Sequence, residues 1–385
     1  MNILLFADLH CANIYNFNVR QTKYKTVEYS RVDELYSTLG WISDVTKNND
    51  IMMDVNLGDT FHQALRFYVE RYNYVIKTLN DITQNTLSKS MVVLEGNHDR
   101  NEETSAVDTL ENITGVTLVK NSVKVKFVSE INSYFIFIPY IRDPEKLKEV
   151  FNKLSLKFSN TPRVKTYVFC HIDIKEAYEG LISSSYQLSQ FNSYDDLNLG
   201  IYTGVFSGHI HFKKKIKNNF HYVGAVLNHN FSDSAERKGL TILKLSPSGY
   251  EIEFKENPYC PLFFKLNLEK SDSLERKIVR IENEKAKYPY TNIYTTIYSL
   301  NSDEGKKKIG LFLDKYRDIF TNFETKCLDS EEELNAMEIM TTSIDKINIF
   351  DLIIDKGIDL LRSKNKTEDE INHYVNRLKT VCRLN

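Results

Sequence analysis

The sequence is poor in cysteine, and the positions of its few cysteines do not suggest pairs. They are far apart in the chain, and no C-x-x-C motif occurs. The five residues are Cys11, Cys170, Cys260, Cys327 and Cys382. This pattern excludes a disulfide framework and a structural zinc site built on thiolates, and it is typical of a protein in a reducing compartment.

Long apolar runs are missing as well. No run approaches the roughly 18 consecutive apolar residues that a membrane-spanning helix needs. The first ten residues, MNILLFADLH, contain no basic segment and reach Asp8 too early for a signal peptide. We therefore expect a cytoplasmic protein with no membrane partner.

The chain also lacks a strong excess of charge of either sign. Its formal net charge is -2, so the whole molecule has no basic field of the kind that attracts nucleic acid. Any surface that binds phosphate groups must therefore be local. The stretch FKKKIKNN, residues 212–219, is one candidate, although on charge alone a solvated hairpin explains it better.

The chain does have enough apolar residues for well-formed cores. It has 385 residues, of which 42% are hydrophobic, which suggests two or three domains. Apolar runs at 2–7, 51–59 and 90–99 predict strands, and segments 31–47 and 67–83 between them have helical spacing. Strands that alternate with helices pair in parallel, so this part is predicted to be α/β.

The pattern changes further along the chain. Runs at 133–139, 166–171 and 204–211 predict more strands, whereas those from 220 to 269 follow one another like hairpins and predict antiparallel pairing. Near residue 268 the composition becomes charged. A helix, a strand and a second helix then predict a small α+β unit.

The last part of the chain, after about residue 325, begins with an acidic stretch. Residues 347–362 and 368–382 follow with helical periodicity and apolar faces. These two helices either bind a partner or pack on their own domain.

Polar residues follow five of the predicted strands. They are Asp8 and His10, then Asp59, then Asn97 and His98, then His171, then His209 and His211. With His62, these segments hold six of the nine histidines. A lone histidine at a strand end is usually a satisfied polar residue, but strand ends converge in layered α/β folds, so this clustering predicts a metal site.

The ligand types indicate which metals would bind. Carboxylate, imidazole and amide oxygen without thiolate suit Mn²⁺, Fe²⁺ or Zn²⁺. Two such ions about 3.5–4 Å apart would clamp a phosphoryl group between them. One carboxylate would have to bridge the pair, and Asp59, which follows Gly58 at a turn, is well placed to do so.

These segments resemble a known signature. The motifs D-x-H, G-D, G-N-H-D, a lone histidine and G-H-x-H occur in the order found in calcineurin-like metallophosphoesterases, over about residues 1–245. Within that superfamily, the block GDTFH and the segment HYVGAVLNHNFSDSAERKGLTIL are similar to the Mre-eleven/SbcD nucleases, including the form encoded by large bacteriophages.

Two segments depart from the nuclease pattern. ADLHCAN replaces the more usual Ser-Asp-x-His-x-Gly opening, which leaves the metal ligands untouched. VGAVLNHN replaces a turn of the Gly-Ser-Pro kind, so the contacts of that loop with substrate are not carried over.

The resemblance implies a fold and a set of partners. Residues 1–264 would form a four-layer α-β-β-α sandwich, residues 265–322 a small α+β domain that caps DNA, and residues 323–385 a helical segment. That segment would bind the coiled coil of an SMC-type ATPase of the Rad-fifty/SbcC kind. The chain would be a homodimer within a heterotetramer, in the host cytoplasm if a phage encodes it.

The resemblance also implies roles for individual residues. One metal would be held by Asp8, His10, Asp59 and His211, and the other by Asp59, Asn97, His171 and His209. His98 would stabilise the transition state or protonate the leaving oxygen, and His62 would lie near the phosphodiester. Asp99 would orient His98 or a neighbouring turn, and a plain turn aspartate is a comparable interpretation. Arg100, Lys213 and Lys214 would contact substrate.

The expected activity is therefore that of a two-metal DNA exonuclease and endonuclease. Mn²⁺ is the expected ion, with Mg²⁺, Fe²⁺ and Zn²⁺ as alternatives. A phosphoesterase that acts on cyclic nucleotides or phosphomonoesters is a second hypothesis, although its members rarely need a helical tail after a capping unit. A DNA-end scaffold that regulates the ATPase is a third.

Overall fold

The computed structural model describes residues 1–11, 27–62, 69–100, 104–159, 164–179, 188, 190–231, 233, 236–330 and 332–334. The predicted helices at 347–362 and 368–382 lie outside the described residues. Within these ranges the chain forms two six-stranded sheets and one three-stranded sheet. The strands are β1 (Asn2–Phe6), β2 (Ile51–Asn56), β3 (Met91–Leu94), β4 (Val116–Val119), β5 (Lys124–Val128), β6 (Ser133–Ile138), β7 (Lys165–Cys170), β8 (Gly204–Ser207), β9 (Lys214–Ile216), β10 (Phe220–Tyr222), β11 (Gly239–Ser246), β12 (Gly249–Glu256), β13 (Leu262–Asn267), β14 (Ile293–Leu300) and β15 (Asn322–Leu328).

The first sheet has the order β12-β11-β1-β2-β3-β4, and the second has the order β5-β6-β7-β8-β10-β9. The helices are α1 (Val27–Asn48), α2 (Val69–Asn85), α3 (Pro144–Phe158), α4 (Ser271–Lys287) and α5 (Asp303–Tyr316). The start of α3 is fixed by its sequence, since the Asp143 carboxylate accepts from the amides of Glu145 and Lys146 and Pro144 occupies the first turn.

The two large sheets pack face to face. Their shared core contains Ile3, Val55 and Leu94 from the first sheet and Phe135 and Phe169 from the second, all buried. Burying one such side chain contributes about 1.5–3 kcal/mol.

Helices cover the two outer faces. Leu39 of α1 and Leu79 of α2 pack on the first sheet, and Phe151 of α3 packs on the second. The result is the α-β-β-α sandwich, which confirms the predicted fold class.

Pairing in the first sheet agrees with the α/β prediction. Strand β1 pairs in parallel with β2, and β2 with β3. The predicted antiparallel pairing after residue 220 is correct for β11 with β12. For β10 it is correct on one edge only, since β10 pairs antiparallel with β9 but in parallel with β8. For β13 it is wrong, since β13 pairs in parallel with β14. In the second case α4 separates the two strands, and a crossover helix makes them parallel.

The three-stranded sheet belongs to a separate layer of helices and strands, which we call the third-sheet unit (residues 262–328). Its order is β13-β14-β15, with both pairs parallel. Its own core includes Leu266 of β13, Ile281 of α4, Ile297 of β14 and Phe312 of α5. The predicted domain limits at 264 and 322 stay predictions.

None of the helices in the described ranges combines the length and apolarity needed to cross a membrane.

Candidate metal centre

The predicted ligands follow the carboxyl ends of strands from both large sheets. Asp8 and His10 follow β1, Asp59 follows β2, Asn97 follows β3, His171 follows β7, and His209 and His211 follow β8. Because these strands are parallel within each sheet and the sheets pack face to face, the ends meet at one edge of the sandwich.

The backbone turns sharply where several of these residues sit. Asp8, His10, Asp59 and His209 have φ angles of 53°, 44°, 53° and 79°, in the left-handed region that non-glycine residues rarely adopt. Strain of this kind costs about 1–3 kcal/mol per residue and is concentrated at functional sites. It aims the side chains into the space between the strand ends.

Asp59 is packed tightly against the turn after β3. A methyl group added at Gly96 would lie 2.1 Å from Asp59 Oδ1, so only glycine allows this approach. The His98 amide donates to the same oxygen at 2.8 Å. The turn that follows β3 therefore fixes the Asp59 carboxylate.

We call Asp59, Asn97, His171 and His209 the second ligand group. His171 Nδ1 donates to the Leu57 carbonyl at 2.7 Å, which leaves its Nε2 facing Asn97 Oδ1 at 3.0 Å. His209 Nε2 donates to Asp173 Oδ1 at 2.5 Å, and its Nδ1 faces the same Asn97 oxygen at 2.8 Å. His171 Nε2 and His209 Nδ1 are 3.1 Å apart.

These atoms suit a cation. With the two ring protons committed elsewhere, the nitrogen lone pairs and the amide oxygen point at one another. A metal held at about 2.1 Å from each ligand places neighbouring ligand atoms roughly 3–3.5 Å apart, as observed. Burial lowers the pKa of His171, but the charges of Asp59 and Asp8 and the hydrogen bond to the Leu57 carbonyl together raise that pKa to about 9. The position therefore attracts positive charge.

We call Asp8, His10, Asp59 and His211 the first ligand group. His10 Nε2 lies 2.9 Å from His211 Nε2, 3.7 Å from Asp59 Oδ2 and 4.0 Å from Asp8 Oδ1. His211 Nε2 lies 3.9 Å from Asp8 Oδ1. His211 Nδ1 donates to Asp233 Oδ1 at 2.9 Å, so its other nitrogen is the one available to a metal.

Asp59 belongs to both groups by position. Its Oδ2 lies 3.7 Å from His10 Nε2 and 3.4 Å from His171 Nε2. Ligand atoms of Asp8, His10 and Asp59 lie within 4.8 Å of one another, as do those of Asp59, His171 and His209. The donor sets on the two sides of Asp59 therefore fit two divalent cations with one bridging carboxylate.

His98 and His62 stand beside the first ligand group. Their rings stack at 4.7 Å with an interplanar angle of 17°, and His62 Nδ1 lies 3.1 Å from His10 Nδ1. Burial lowers the pKa of His98 to about 4, against the opposing charge of Asp59. Burial also lowers the pKa of His62. Both rings are therefore neutral at neutral pH.

The other predicted site residues lie further out. Asp99 accepts from the amides of Phe61 and Gly96 at 2.7 and 2.9 Å, so its carboxylate joins the turns after β2 and β3. Burial, reinforced by the charge of Asp59, raises the pKa of Asp99 to about 7. Arg100 is half exposed and donates to Asn121 Oδ1.

The two lysines before and within β9 differ in what they contact. Lys213 Nζ lies 3.8 Å from the centre of the Phe254 ring. Lys214 Nζ donates to the carbonyls of Glu176 and Ala177, both at 2.9 Å.

Three residues of the site escaped the sequence prediction. Asp173 and Asp233 accept from His209 and His211, and His229 Nε2 donates to the Asp8 carbonyl at 2.8 Å. Carboxylates of this kind fix the orientation of metal-binding imidazoles. Asp173 stands only two residues after His171, a signal that could have found it. His229 and Asp233 lie in the segment after G-H-x-H that resembles the nuclease branch, but their spacing does not mark them as partners of the ligands.

Comparison with known proteins gives one family and a set of distant structures, two of which are given below. The model of the calcineurin-like phosphoesterase family matches residues 1–268. The phosphopantetheinyl hydrolase of Mycobacterium tuberculosis is 10% identical, with a TM-score of 0.36 over 58% of this chain and 89% of that one. A dimetal phosphatase of Danio rerio is 11% identical, with a TM-score of 0.38 over 66% of this chain and 96% of that one. No curated protein matches significantly.

Proposed function

The chain belongs to the calcineurin-like phosphoesterase family, and from that premise we propose that it is a two-metal nuclease that hydrolyses phosphodiester bonds in DNA. The observation that carries the proposal is the convergence of the two ligand groups on Asp59, with His62 and His98 beside them. A phosphate held between two cations there would lie within reach of an imidazole.

The ligand groups would divide the metals between them. The first group would hold one cation and the second group the other, with Asp59 shared. When bound, the cations supply activation of water and neutralisation of charge on the phosphate oxygens. Oxygen and imidazole donors without thiolate suit Mn²⁺, Fe²⁺ and Zn²⁺. The resemblance to the nuclease branch favours Mn²⁺ among them, and Mg²⁺ is a further alternative.

His98 has the position and charge state of a hydrogen-bond donor to the substrate. Its ring is neutral because burial lowers its pKa to about 4. A neutral imidazole can donate one hydrogen bond to a phosphate oxygen as charge develops there. This supports transition-state stabilisation over protonation of the leaving oxygen. His62, stacked on His98 and facing His10, would hold both rings in place.

The proposal that DNA is the substrate rests on sequence similarity more than on the positions of basic side chains. The GDTFH block resembles the nuclease branch of the family. Arg100 and Lys213 are proposed to contact the DNA backbone, since the half-exposed Arg100 follows the turn that carries His98. Lys214 is the weakest of the proposed contacts because its ammonium group is already bound to two carbonyls.

The proposed context is a repair or recombination complex. The chain would be the nuclease subunit, dimeric, and joined to an SMC-type ATPase of the Rad-fifty/SbcC kind through the segment after residue 323. Gel filtration of the ATPase with the full chain, and with a chain ending at about residue 325, tests this. Unchanged association after truncation would contradict the proposed role of the tail.

The activity test compares three substrates with Mn²⁺: end-labelled duplex DNA, a cyclic nucleotide and a phosphomonoester. We expect DNA to be preferred, and His98→Ala to abolish cleavage while metal and DNA binding persist. The matched control is His221→Ala, since His221 is a partly buried histidine that stacks on Phe206 instead of facing the site. Preference for a small substrate would favour the other phosphoesterase hypothesis, and DNA binding without cleavage would favour the scaffold.

A further inference from the structure

A buried ion pair lies where α1 meets the third-sheet unit. Arg31 and Glu34 are one helical turn apart, and their side chains are 1% and 2% exposed. Arg31 Nη1 donates to Glu34 Oε2 at 2.5 Å. Because desolvation offsets most of the attraction in a buried ion pair, such a pair adds little stability by itself. Its contacts on either side indicate a different role.

On one side the pair holds the third-sheet unit. Glu34 Oε1 accepts from Asn292 Nδ2 at 2.6 Å and from the Tyr294 hydroxyl at 2.7 Å. The Arg31 guanidinium carbon lies 5.3 Å from the centre of the Phe263 ring and 5.6 Å from that of Tyr294. Strands β13 and β14 therefore rest directly on the ion pair.

On the other side the pair holds the loop that borders the first ligand group, which we call the metal-side loop (residues 228–233, of which 232 lies outside the described residues). Arg31 Nη2 donates to the carbonyls of Asn228 and His229 at 3.0 and 3.2 Å. Because the guanidinium is rigid and planar, one side chain can hold Glu34 and both carbonyls at once.

The metal-side loop in turn touches two ligands of the first group. His229 Nε2 donates to the Asp8 carbonyl at 2.8 Å. Asp233 accepts from His211 Nδ1 through Oδ1 at 2.9 Å and from the His229 amide through Oδ2 at 2.5 Å. A continuous path of hydrogen bonds thus runs from β14 through Glu34, Arg31 and the loop to the first ligand group.

We propose that Arg31 is a positioning residue that couples the third-sheet unit to the first cation. Arg31 binds the third-sheet unit through Glu34 and the metal-side loop through two carbonyls. The loop held in this way orients Asp8 and His211 for the metal. The coupling is reciprocal, so binding of the first cation stabilises the packing of the unit, and displacement of the unit weakens that cation. The second ligand group meets this path through the shared Asp59 and through the His209 amide, which donates to Asp8 Oδ1 at 3.2 Å. The inference rests on the proposed pair of metal sites.

The test uses two tyrosines on one face of β14. Tyr294→Phe removes the hydroxyl that binds Glu34, and Tyr298→Phe is the control because Tyr298 is equally buried but four residues further along. Calorimetric titration with Mn²⁺ should show the first site weakened about 5- to 10-fold in Tyr294→Phe, at the lower end of a typical coupling. The second site, and both sites in the control, should be unchanged.

A second variant separates positioning from folding. Arg31→Lys keeps the charge but loses the planar fork, so it should weaken the first site more than Tyr294→Phe does. If either variant lowers the melting temperature and leaves both Mn²⁺ affinities unchanged, the network is only structural and the inference fails. A wild-type chain that binds no pair of Mn²⁺ ions would instead overturn the proposed function.

Hydrogen exchange measures the coupling in the opposite direction. Mn²⁺ should slow exchange of the β14 amides in the wild-type chain, and it should not do so in His211→Ala, which retains the second group. Equal protection of β14 in both proteins would contradict a path through the first ligand group.

Discussion

The two ligand groups share Asp59 but are held by different parts of the molecule. In the second group, His171 is fully buried and bonds to the Leu57 carbonyl just after β2. In the first group, His211 is held by Asp233 on a loop, and His10 faces another side chain, His62. In the second group His209 is held by Asp173, just after β7, whereas the loop that holds His211 in the first group reaches the third-sheet unit through Arg31. We therefore expect the second cation to bind more tightly.

The largest effect on metal binding is expected at Asp59, which the two ligand groups share. Asp59→Ala removes the proposed bridge, so both cations should be lost and activity should become unmeasurable. Asp8→Ala removes a ligand of the first group only and should leave one cation bound. Metal analysis after equilibrium dialysis distinguishes the two variants. Retention of both metals by Asp59→Ala would contradict the bridging role.

Gly96→Ala tests whether close packing places Asp59. The added methyl would lie 2.1 Å from Asp59 Oδ1, so the carboxylate or the turn must move, at a cost of about 1–3 kcal/mol. Both Mn²⁺ affinities should fall. Gly310→Ala is the control, because no atom beyond the adjacent residues and the backbone of α5 itself lies within 4 Å of the added methyl. Normal metal binding by Gly96→Ala would show that Asp59 is placed in some other way.

Variants of the two carboxylates that orient ligand histidines should affect the two ligand groups separately. Asp173→Asn removes the charge that holds His209, and Asp233→Asn removes the charge that holds His211. Each should weaken its own cation about 10- to 100-fold and spare the other. Two-site titration with Mn²⁺ measures this. Equal loss at both sites in either variant would mean that the groups are not independently supported.

The smallest effect concerns stability alone. Burial raises the pKa of Asp54 on β2 well above its usual value, with Thr46 as its hydrogen-bond partner. At this position the folded state therefore binds more protons than the unfolded state, and the contribution of Asp54 to stability should fall as pH rises above about 4, by up to about 1.4 kcal/mol per pH unit.

Asp54→Asn should abolish this pH dependence. Its free energy of unfolding relative to wild type should increase between pH 4 and 7, as measured by urea denaturation. The difference in Mn²⁺ affinity between the first and second ligand groups should be the same in Asp54→Asn as in wild type. A constant difference across that pH range would show that Asp54 is charged in the folded protein.

The sequence predicts the site ligands well because they follow strands. Asp8, Asp59 and His171 each come directly after an apolar run, and parallel strand ends meet whatever the loops do. The supporting residues are different. Asp233 and His229 act through the path of one loop, and Arg31 looks like an ordinary polar residue of an amphipathic helix. Their roles depend on which surface packs against them, which no local pattern records.

Strand pairing shows the same limit. The apolar runs around β10 and β13 are visible, but their partners are not. Strand β13 joins β14 across α4, and β10 lies between β8 and β9. A run of apolar residues predicts that a strand exists, whereas its direction follows from the connection and the sheet that receives it.

The measurement that tests the central claim most directly is electron paramagnetic resonance of the Mn²⁺-loaded protein. Two cations that share the Asp59 carboxylate should give the signal of an exchange-coupled Mn²⁺ pair, and Asp59→Ala should abolish it. A signal from isolated Mn²⁺ at full loading would contradict a bridged two-metal centre.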